Sequence, residues 1–305
     1  MITLNVNKEL VRHSNWSDLA ELPGFIQNLN PQEKELKEII GRYYESEEVK
    51  CGLSICRTPH KRGYIVCTTD GYITNIGNHC GKKYFGVDFE TMSKMLDHDL
   101  DMKEYREKLN YFDRNERNGL INWVENKIQI SKDIIRFLKS INGESESRLV
   151  PSLISNKIRD MAKTRNNTLT KVRELTKEEK DLESSRRGAA TKMSKDLQYR
   201  EEKIADIAGL GIMSSVEGLR ELLVLELQDK LKIFPHERID KLTDQELKDW
   251  NKWHQNISST KNKIEQLIEE GMRFFEYDNL KHFEKILYDE TDKRMWNEFL
   301  TPLKK

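Results

Sequence analysis

All four cysteines of this 305-residue chain lie between Cys51 and Cys80, a stretch that also contains His60 and His79. A zinc ion needs about four soft or borderline ligands in tetrahedral geometry, and closely spaced Cys and His residues supply them. In a reducing compartment such cysteines are more often ligands or free thiols than disulfides. The cluster therefore predicts a small module, residues 51–90, that folds around one Zn²⁺ ion.

Four of the six candidate ligands suit a zinc site best, and they lie towards the two ends of the stretch: Cys51, Cys56, His60 and Cys80. Glycine follows two of these cysteines, as Gly52 and Gly81, and glycine allows the backbone to turn so that its amides face a sulfur. Cys67 is the least suitable cysteine because it belongs to a β run that sets its direction. His79 is a fifth candidate that can replace His60.

Two alternatives to zinc remain open for these cysteines. The spacing Cys51-x4-Cys56 is looser than the usual Cys-x2-Cys, and no second close pair follows. The thiols can therefore be unliganded residues of a core, or one of them can be a redox or catalytic thiol.

The residues between the predicted ligands have the pattern of a β-hairpin. The runs 64–67 and 72–74 are rich in β-branched and aromatic residues, and Asp70-Gly71 between them is a strong turn signal. The order is a ligand-bearing turn, a hairpin, a second ligand-bearing turn and a helix. In this general plan the module resembles zinc ribbons and treble-clef fingers, without pointing to a particular family within them.

The rest of the chain is predicted to be mainly α-helical, because the whole chain has only six prolines and fifteen glycines and because apolar residues recur at helical spacing. Asn142-Gly143 predicts the end of one helix, Pro151 the start of another, and Thr243 with Glu246 a capping box. The expected fold is a helical bundle with a small β-containing, zinc-ribbon-like module near the N-terminus. The expected domains are an N-terminal helical cap (1–50), the zinc module (51–90), a helical connector (91–150), and a long helical arm with a C-terminal helical bundle (151–305).

Two of these helical regions depend mainly on apolar spacing. Leu36, Ile39, Ile40 and Tyr43 recur at helical intervals after Asn30-Pro31, which predicts the N-terminal cap. Residues 152–207 carry apolar residues seven apart, which predicts one long exposed helix or an imperfect coiled-coil arm. Such a thin apolar row would need a partner surface. We therefore expect the arm to bind a protein partner or to form a homo-oligomer.

The charges of the chain cancel overall, with 52 Lys and Arg against 52 Asp and Glu, so any surface for nucleic acid must be local. The basic residues flanking the predicted ligands are candidates for contacting phosphate groups: Arg57, Lys61, Arg62, Lys82 and Lys83. The N-terminal residues lack the pattern of a signal peptide, and no run of about 18 apolar residues occurs. We therefore expect a cytoplasmic protein that does not cross a membrane.

No motif for phosphate-loop, serine-hydrolase or zinc-protease chemistry is present in the sequence. The sequence therefore favours a non-enzymatic, zinc-containing binding or scaffold protein that contacts nucleic acid through the zinc module. An alternative is a metal-dependent nuclease of the HNH type, or another nucleic-acid enzyme, with His79 as general base. In a third interpretation the chain is a structural subunit whose zinc only holds the fold.

Overall fold

The structure is a computed structural model that describes residues 2–6, 9–146, 148–187, 199–214 and 218–304. Helices take up 59% of the chain and strands 20%, the latter in small antiparallel sheets, so the prediction of a mainly α protein is confirmed. The contacts divide the chain into two compact units. The first comprises Met1–Arg114 and His236–His254, and the second comprises Asn115–Pro235 and Gln255–Lys305.

The first unit is built on a five-stranded antiparallel sheet with the strand order β2-β1-β3-β4-β5. A short helix, α1, precedes β3, and a long helix, α2, follows β5. The bounds of these elements are β1 Ile2–Val6, β2 Glu9–His13, α1 Trp16–Ala20, β3 Leu36–Lys50, β4 Pro59–Thr68, β5 Ile73–Ile76 and α2 Asn78–Asn115. A 3₁₀ turn at Ile239–Lys241 and the first residues of helix α8, Asp244–Phe274, complete this unit.

Both faces of this sheet are covered, because successive side chains of a strand point to opposite faces. In β4, Val66 joins a core that includes Phe89 and Leu96 of α2, and neighbouring Ile65 joins a second core with Leu19 of α1. All five side chains are nearly or completely buried. The α2-facing core is the part of the fold that positions the cysteines.

The predicted helical cap at residues 1–50 is wrong, because this segment contributes three of the five strands. The residues that suggested a helix, from Leu36 to Tyr43, lie in β3. There Ile39, Gly41 and Tyr43 are buried, which is the period of a strand. Isoleucine and tyrosine favour a pleated, half-buried surface, and pairing with β1 and β4 outweighs a spacing that also suits a helix.

The predicted hairpin is confirmed. Strands β4 and β5 pair antiparallel, with Cys67 opposite Ile73, and Gly71 in the turn adopts a φ of 85° that favours glycine. Helix α2 begins two residues after β5 and is interrupted at Gly86, whose φ of 61° and ψ of −140° are not helical. The hairpin and the short helical segment before Gly86 therefore form a compact strand–strand–helix unit.

The second unit is largely helical and contains one two-stranded antiparallel sheet, β6–β7. Its elements are α3 Arg117–Asn142, α4 Ser152–Thr164, β6 Thr168–Glu174, α5 Lys177–Arg187, β7 Tyr199–Asp206, α6 Gly211–Ser214, a π-helix Glu221–Asp229, α7 Lys230–Ile233, the remainder of α8, α9 Tyr277–Leu280, a 3₁₀ helix Lys281–Ile286, α10 Glu290–Leu300 and a 3₁₀ turn Thr301–Leu303. Buried aromatic residues, including Phe283, Trp296 and Phe299, pack at its centre.

The predicted helical arm at residues 152–207 is also wrong in the described residues. Its helix ends at Thr164, where Arg165 adopts a left-handed φ of 53°, and the chain continues into β6, which pairs with β7. Residues 188–198 of the predicted arm lie outside the described residues. The seven-residue row failed because β-branched residues such as Thr168 and Val172 also suit a strand, and β7 supplies a partner for β6.

Several predicted helix boundaries are confirmed. Gly143 ends α3 with a left-handed φ of 78°, and Pro151 is the residue before α4. Thr243 and Glu246 form the expected capping box, in which each backbone N–H donates to the other side chain. These boundaries depend on local chemistry within a few residues, and tertiary contacts did not override them.

Gly81 offers a sharp test of packing in the first unit. A Cβ there would lie 2.2 Å from the ring of Phe89, which is fully buried and cannot easily move. Gly81→Ala should therefore lower the free energy of unfolding by about 1–3 kcal/mol through overpacking. Thermal and urea denaturation followed by circular dichroism measure the change.

The matched control is Gly119→Ala in α3, where an added Cβ meets nothing within 4 Å. This substitution should raise stability by up to about 1 kcal/mol, because alanine loses less backbone entropy in a helix than glycine. Equal effects of the two substitutions would show that the contact between Gly81 and Phe89 is not tight.

Candidate metal centre

Three of the four cysteines converge on one point of the first unit. The sulfur atoms of Cys51, Cys56 and Cys80 all lie within 4.8 Å of one another. Cys56 Sγ and Cys80 Sγ are 2.8 Å apart, which is longer than a disulfide bond of about 2.05 Å, and the cysteines are free. Sulfurs in a tetrahedral zinc site, with Zn–S bonds of about 2.3 Å, lie roughly 3.8 Å apart. If the sulfurs of Cys56 and Cys80 moved slightly apart, the three thiolates could therefore hold a metal ion.

The three cysteines reach this point from separate elements. Cys51 follows the end of β3, Cys56 lies in the loop before β4, and Cys80 is in the first turn of α2. Cys51 and Cys80 are only 3% and 6% exposed, and both belong to the core between the sheet and α2. The apolar packing of strand and helix, rather than the cysteines alone, therefore brings the sulfurs together.

Backbone amides surround two of the sulfurs. The N–H groups of Leu53 and Gly77 donate to the Cys51 sulfur, and the N–H of Thr58 donates to Cys56. In both cases a donor lies two residues after the cysteine, so each cysteine starts a tight turn around its own sulfur. Such N–H groups stabilise a thiolate, the form in which cysteine binds a metal.

The glycines beside these cysteines were expected from the sequence to let the backbone turn towards the sulfurs, but the structure gives them a different role. Neither Gly52 nor Gly81 has a positive φ, so backbone freedom is not what requires them. A Cβ on Gly52 would lie 2.0 Å from Thr74 Oγ1, and one on Gly81 would enter the ring of Phe89. These glycines allow β5 and α2 to approach the sulfurs closely.

The three thiols differ in acidity. Burial raises the pKa of Cys51 and of Cys80, and for Cys80 the nearby sulfurs of Cys56 and Cys51 raise it further. Burial also acts against ionisation of Cys56, but hydrogen bonds from Cys80 and Thr58 outweigh it and lower the pKa of Cys56 to about 7. In the metal-free protein the first negative charge therefore resides on Cys56.

His60, the fourth predicted ligand, is not brought to the sulfurs. Its Nδ1 lies 2.9 Å from the Thr58 carbonyl, which can only accept, so Nδ1 carries the proton. Its Nε2 then accepts from the Tyr43 hydroxyl, whose oxygen accepts from Asn75 Nδ2 at 3.3 Å. These hydrogen bonds occupy both ring nitrogens of His60 and leave no lone pair for a metal. Of the other two side chains in these hydrogen bonds, Tyr43 was assigned to the predicted helical cap, and Asn75 was not singled out from the sequence.

The two remaining candidates of the cluster lie apart from the sulfurs. Cys67 follows Val66, which faces α2, so strand alternation directs the Cys67 side chain to the opposite face. Burial raises the pKa of Cys67. His79 is exposed and adjacent to Cys80, and it makes no hydrogen bond to any residue that the structure describes. It is therefore free to rotate.

The five predicted phosphate-contacting residues are all exposed, but their charges are used differently. Lys82 pairs with Glu90 at 2.6 Å, and Lys83 lies over the ring of Tyr84. Arg62 lies 4.7 Å above the ring of Tyr44. Within the described residues, no ion pair involves Arg57 or Lys61, whose charges remain available.

Arg62 also lines a cavity that the sequence analysis missed, with a volume of about 620 Å³. At its centre Arg42 lies within 3.4 Å of Asp97, 2.8 Å of Asp101 and 3.1 Å of Glu104. Burial works against the charge on Arg42, but hydrogen bonds to Asp101 and Glu104 outweigh it and raise its pKa. The three carboxylates exceed the charge of Arg42, so this cavity disfavours phosphate.

The HNH alternative requires further metal ligands around His79. Among the described residues, the only group of three or more close Cys, His, Asp or Glu ligand atoms is the set of three sulfurs, and His79 is not in it. His98, further along α2, has its Nε2 2.7 Å from Asp244 Oδ2.

Comparisons with known proteins add no function to this geometry. No family model, no curated protein and no solved structure matches the chain. In the described residues, every helix is too short or too polar to span a membrane.

The acidity of Cys56 can be tested directly. In protein kept metal-free with a chelator, we expect the rate of Cys56 alkylation by iodoacetamide to rise with pH, with a midpoint at about 7. The thiolate is the reactive form, so the rate follows the ionised fraction. Peptide mass spectrometry over pH 5–9 gives the rate at each cysteine. Cys67, with its raised pKa, is the internal control, and faster alkylation of Cys67 than of Cys56 at pH 7 would contradict the assignment.

Proposed function

We propose that this chain is a non-enzymatic, zinc-containing binding or scaffold protein. In this proposal Cys51, Cys56 and Cys80 hold one Zn²⁺ ion, and the zinc-bound module presents basic side chains to nucleic acid. The observation that carries the proposal is the convergence of three sulfurs from the end of β3, the loop before β4 and the first turn of α2. Bound zinc would cross-link these three elements.

The donor set suits zinc. Three thiolates are a soft, N/S-type set with high affinity for Zn²⁺, and amides already donate to two of the sulfurs. The order of turn, hairpin and helix that holds them also agrees with the general plan of treble-clef fingers. Because Cys51 and Cys80 are part of the core, metal binding there would contribute directly to folding.

The fourth ligand in this proposal is His79. Structural zinc sites generally have four protein ligands, and the structure brings together three. His60 has both nitrogens engaged, whereas His79 is exposed, adjacent to Cys80 and without a described hydrogen bond. A rotation of the His79 side chain is the smallest change that would complete the set.

Nucleic-acid contact is assigned to the segment after Cys56 and to the start of β4. Arg57 directly follows Cys56, and Lys61 is the third residue of β4. Their charges are available, whereas Lys82 is paired and Arg62 borders the acidic cavity. Binding through phosphate contacts alone would be tolerant of sequence.

A protein partner also remains part of the proposal, but without a coiled-coil arm. The apolar row that suggested an arm lies partly on β6 and includes Val172, which is 55% exposed. An exposed apolar residue on a two-stranded sheet is a smaller contact surface than a long helix would offer.

The zinc proposal predicts one zinc ion per chain in protein purified without chelator. Cys51→Ser, Cys56→Ser and Cys80→Ser should each lower the zinc content strongly and destabilise the first unit, because the binding energy of zinc is also folding energy. Elemental analysis and thermal denaturation measure the two effects. Cys67→Ser is the control and should retain the metal, and His79→Ala should weaken zinc affinity more than His60→Ala.

A protein with no zinc, or one in which Cys67→Ser loses zinc while Cys56→Ser keeps it, would refute this site. Cleavage of DNA or RNA that depends on a divalent metal and is lost in His79→Ala would replace the binding function with the nuclease alternative.

The nucleic-acid proposal predicts binding to duplex and single-stranded DNA at low salt, with a log–log salt slope near −0.9 per duplex phosphate contact. Arg57→Glu with Lys61→Glu should weaken binding on all sequences and make the slope shallower. The control, Lys241→Glu with Lys248→Glu, changes the net charge equally at two exposed residues of the same unit. Fluorescence anisotropy provides the affinities. Equal loss in both double variants would mean that net charge matters and that the loop does not form a specific contact surface.

A further inference from the structure

A polar cavity of about 500 Å³ lies at the N-terminus of helix α4, within the second unit. Two arginines line it, together with side chains from the first turns of α4, and none of these residues was identified from the sequence. The lining residues that matter are Arg148, Ser152, Ser155, Asn156, Arg159 and Asp292. The volume is within the range of about 300–1,000 Å³ that is typical of small-molecule sites.

The helix end supplies backbone donors to this cavity. Pro151 is the N-cap residue of α4, and its side chain has no group that could accept a hydrogen bond from the first turn. The first N–H groups of a helix have no partner within the helix, and the helix dipole places partial positive charge there. A helix of 13 residues with such an end favours an anion.

The hydroxyl of the nearly buried residue Ser155 is an independent indication of a ligand. Ser155 is 6% exposed and lines the cavity, and its hydroxyl has no hydrogen-bond partner among the described residues. Only its backbone is engaged, through Pro151 and Arg159. A ligand oxygen in the cavity could accept a hydrogen bond from this hydroxyl, which no described protein group does.

The charges of the cavity favour a dianion. In the described part of the chain, neither Arg148 nor Arg159 forms an ion pair, and the only side-chain hydrogen bond of either is from Arg159 Nε to the Ser155 carbonyl at 3.2 Å. Asp292 supplies one opposing negative charge. Two guanidinium groups and a helix N-terminus exceed that charge, and guanidinium groups match phosphate oxygens in a bidentate manner.

We propose that this cavity binds a phosphate monoester, such as the terminal phosphate of a nucleotide or of a sugar phosphate. Arg148 and Arg159 contact the phosphate oxygens, the Ser155 hydroxyl donates to one of them, and the free amides of the first turn of α4 hold the group. The remaining volume accommodates the organic part of the ligand. This site belongs to the second unit and does not depend on zinc.

The experiment measures binding of three probes by isothermal titration calorimetry at low salt: inorganic phosphate, a nucleoside monophosphate, and a single-stranded oligonucleotide without a terminal phosphate. We expect the first two to bind and the oligonucleotide to bind more weakly at this site. Arg148→Gln and Arg159→Gln should each weaken phosphate binding at least tenfold, and Ser155→Ala at least threefold. Ser155→Ala removes only an unpartnered hydroxyl, so its circular dichroism spectrum and melting temperature should match the parent protein or improve.

Two control variants match these changes outside the cavity. Arg200→Gln removes a positive charge from β7, and Ser259→Ala removes an exposed hydroxyl from α8, so both should retain parental affinity. Three results would overturn the proposal: no phosphate binding by the parent protein, equal affinity in the cavity variants and the controls, or tighter binding of the oligonucleotide that Arg148→Gln abolishes. The last result would assign the cavity to a nucleic-acid backbone.

Discussion

The packing of α2 against one face of the five-stranded sheet is the interaction on which the first unit depends. Val66 and Ile76 on the strands meet Phe89 and Leu96 on the helix in a core that also contains Cys51 and Cys80. Because the helix begins two residues after β5, the packing brings its first turn beside the loop that follows β3. The sulfurs meet as a consequence of this apolar contact, and Gly81 permits it by leaving room for the ring of Phe89.

The same arrangement separates the roles of the two histidines near the sulfurs. His60 completes a hydrogen-bonded chain with Tyr43 and Asn75 that satisfies polar groups inside the sheet. Buried polar groups of this kind are costly when unpaired. If His60 turned away from Tyr43 to bind a metal, the Tyr43 hydroxyl would lose its hydrogen-bond acceptor. The ring of His79 makes no hydrogen bond to a described residue, so binding a metal would not break one. The contacts of each ring therefore determine that His60 is engaged within the sheet while His79 is not.

The second unit carries an unrelated chemical feature, the polar cavity at the start of α4. Its arginines and the Ser155 hydroxyl provide hydrogen-bond donors that no described acceptor fully uses. The cavity around Arg42 in the first unit instead has more carboxylate acceptors than positive charge on Arg42. The two units therefore offer anions and cations different surfaces, although the chain has no net charge. Local arrangement, and not overall charge, determines which ligands each unit can hold.

Local chemistry in the sequence by itself determined the hairpin at Asp70-Gly71, the end of α3, the start of α4, the capping box at Thr243, and the clustering of the cysteines. Each of these signals acts over a few residues. Only the tertiary structure decided that the segment around Ile39 is a strand, that the predicted arm contains two paired strands, and that His60 lies apart from the three sulfurs. Where the apolar spacing of a segment suits both a helix and a strand, pairing with a neighbouring strand decides that the segment becomes a strand. A side chain becomes a ligand only where distant elements pack together, and no local pattern contains that information.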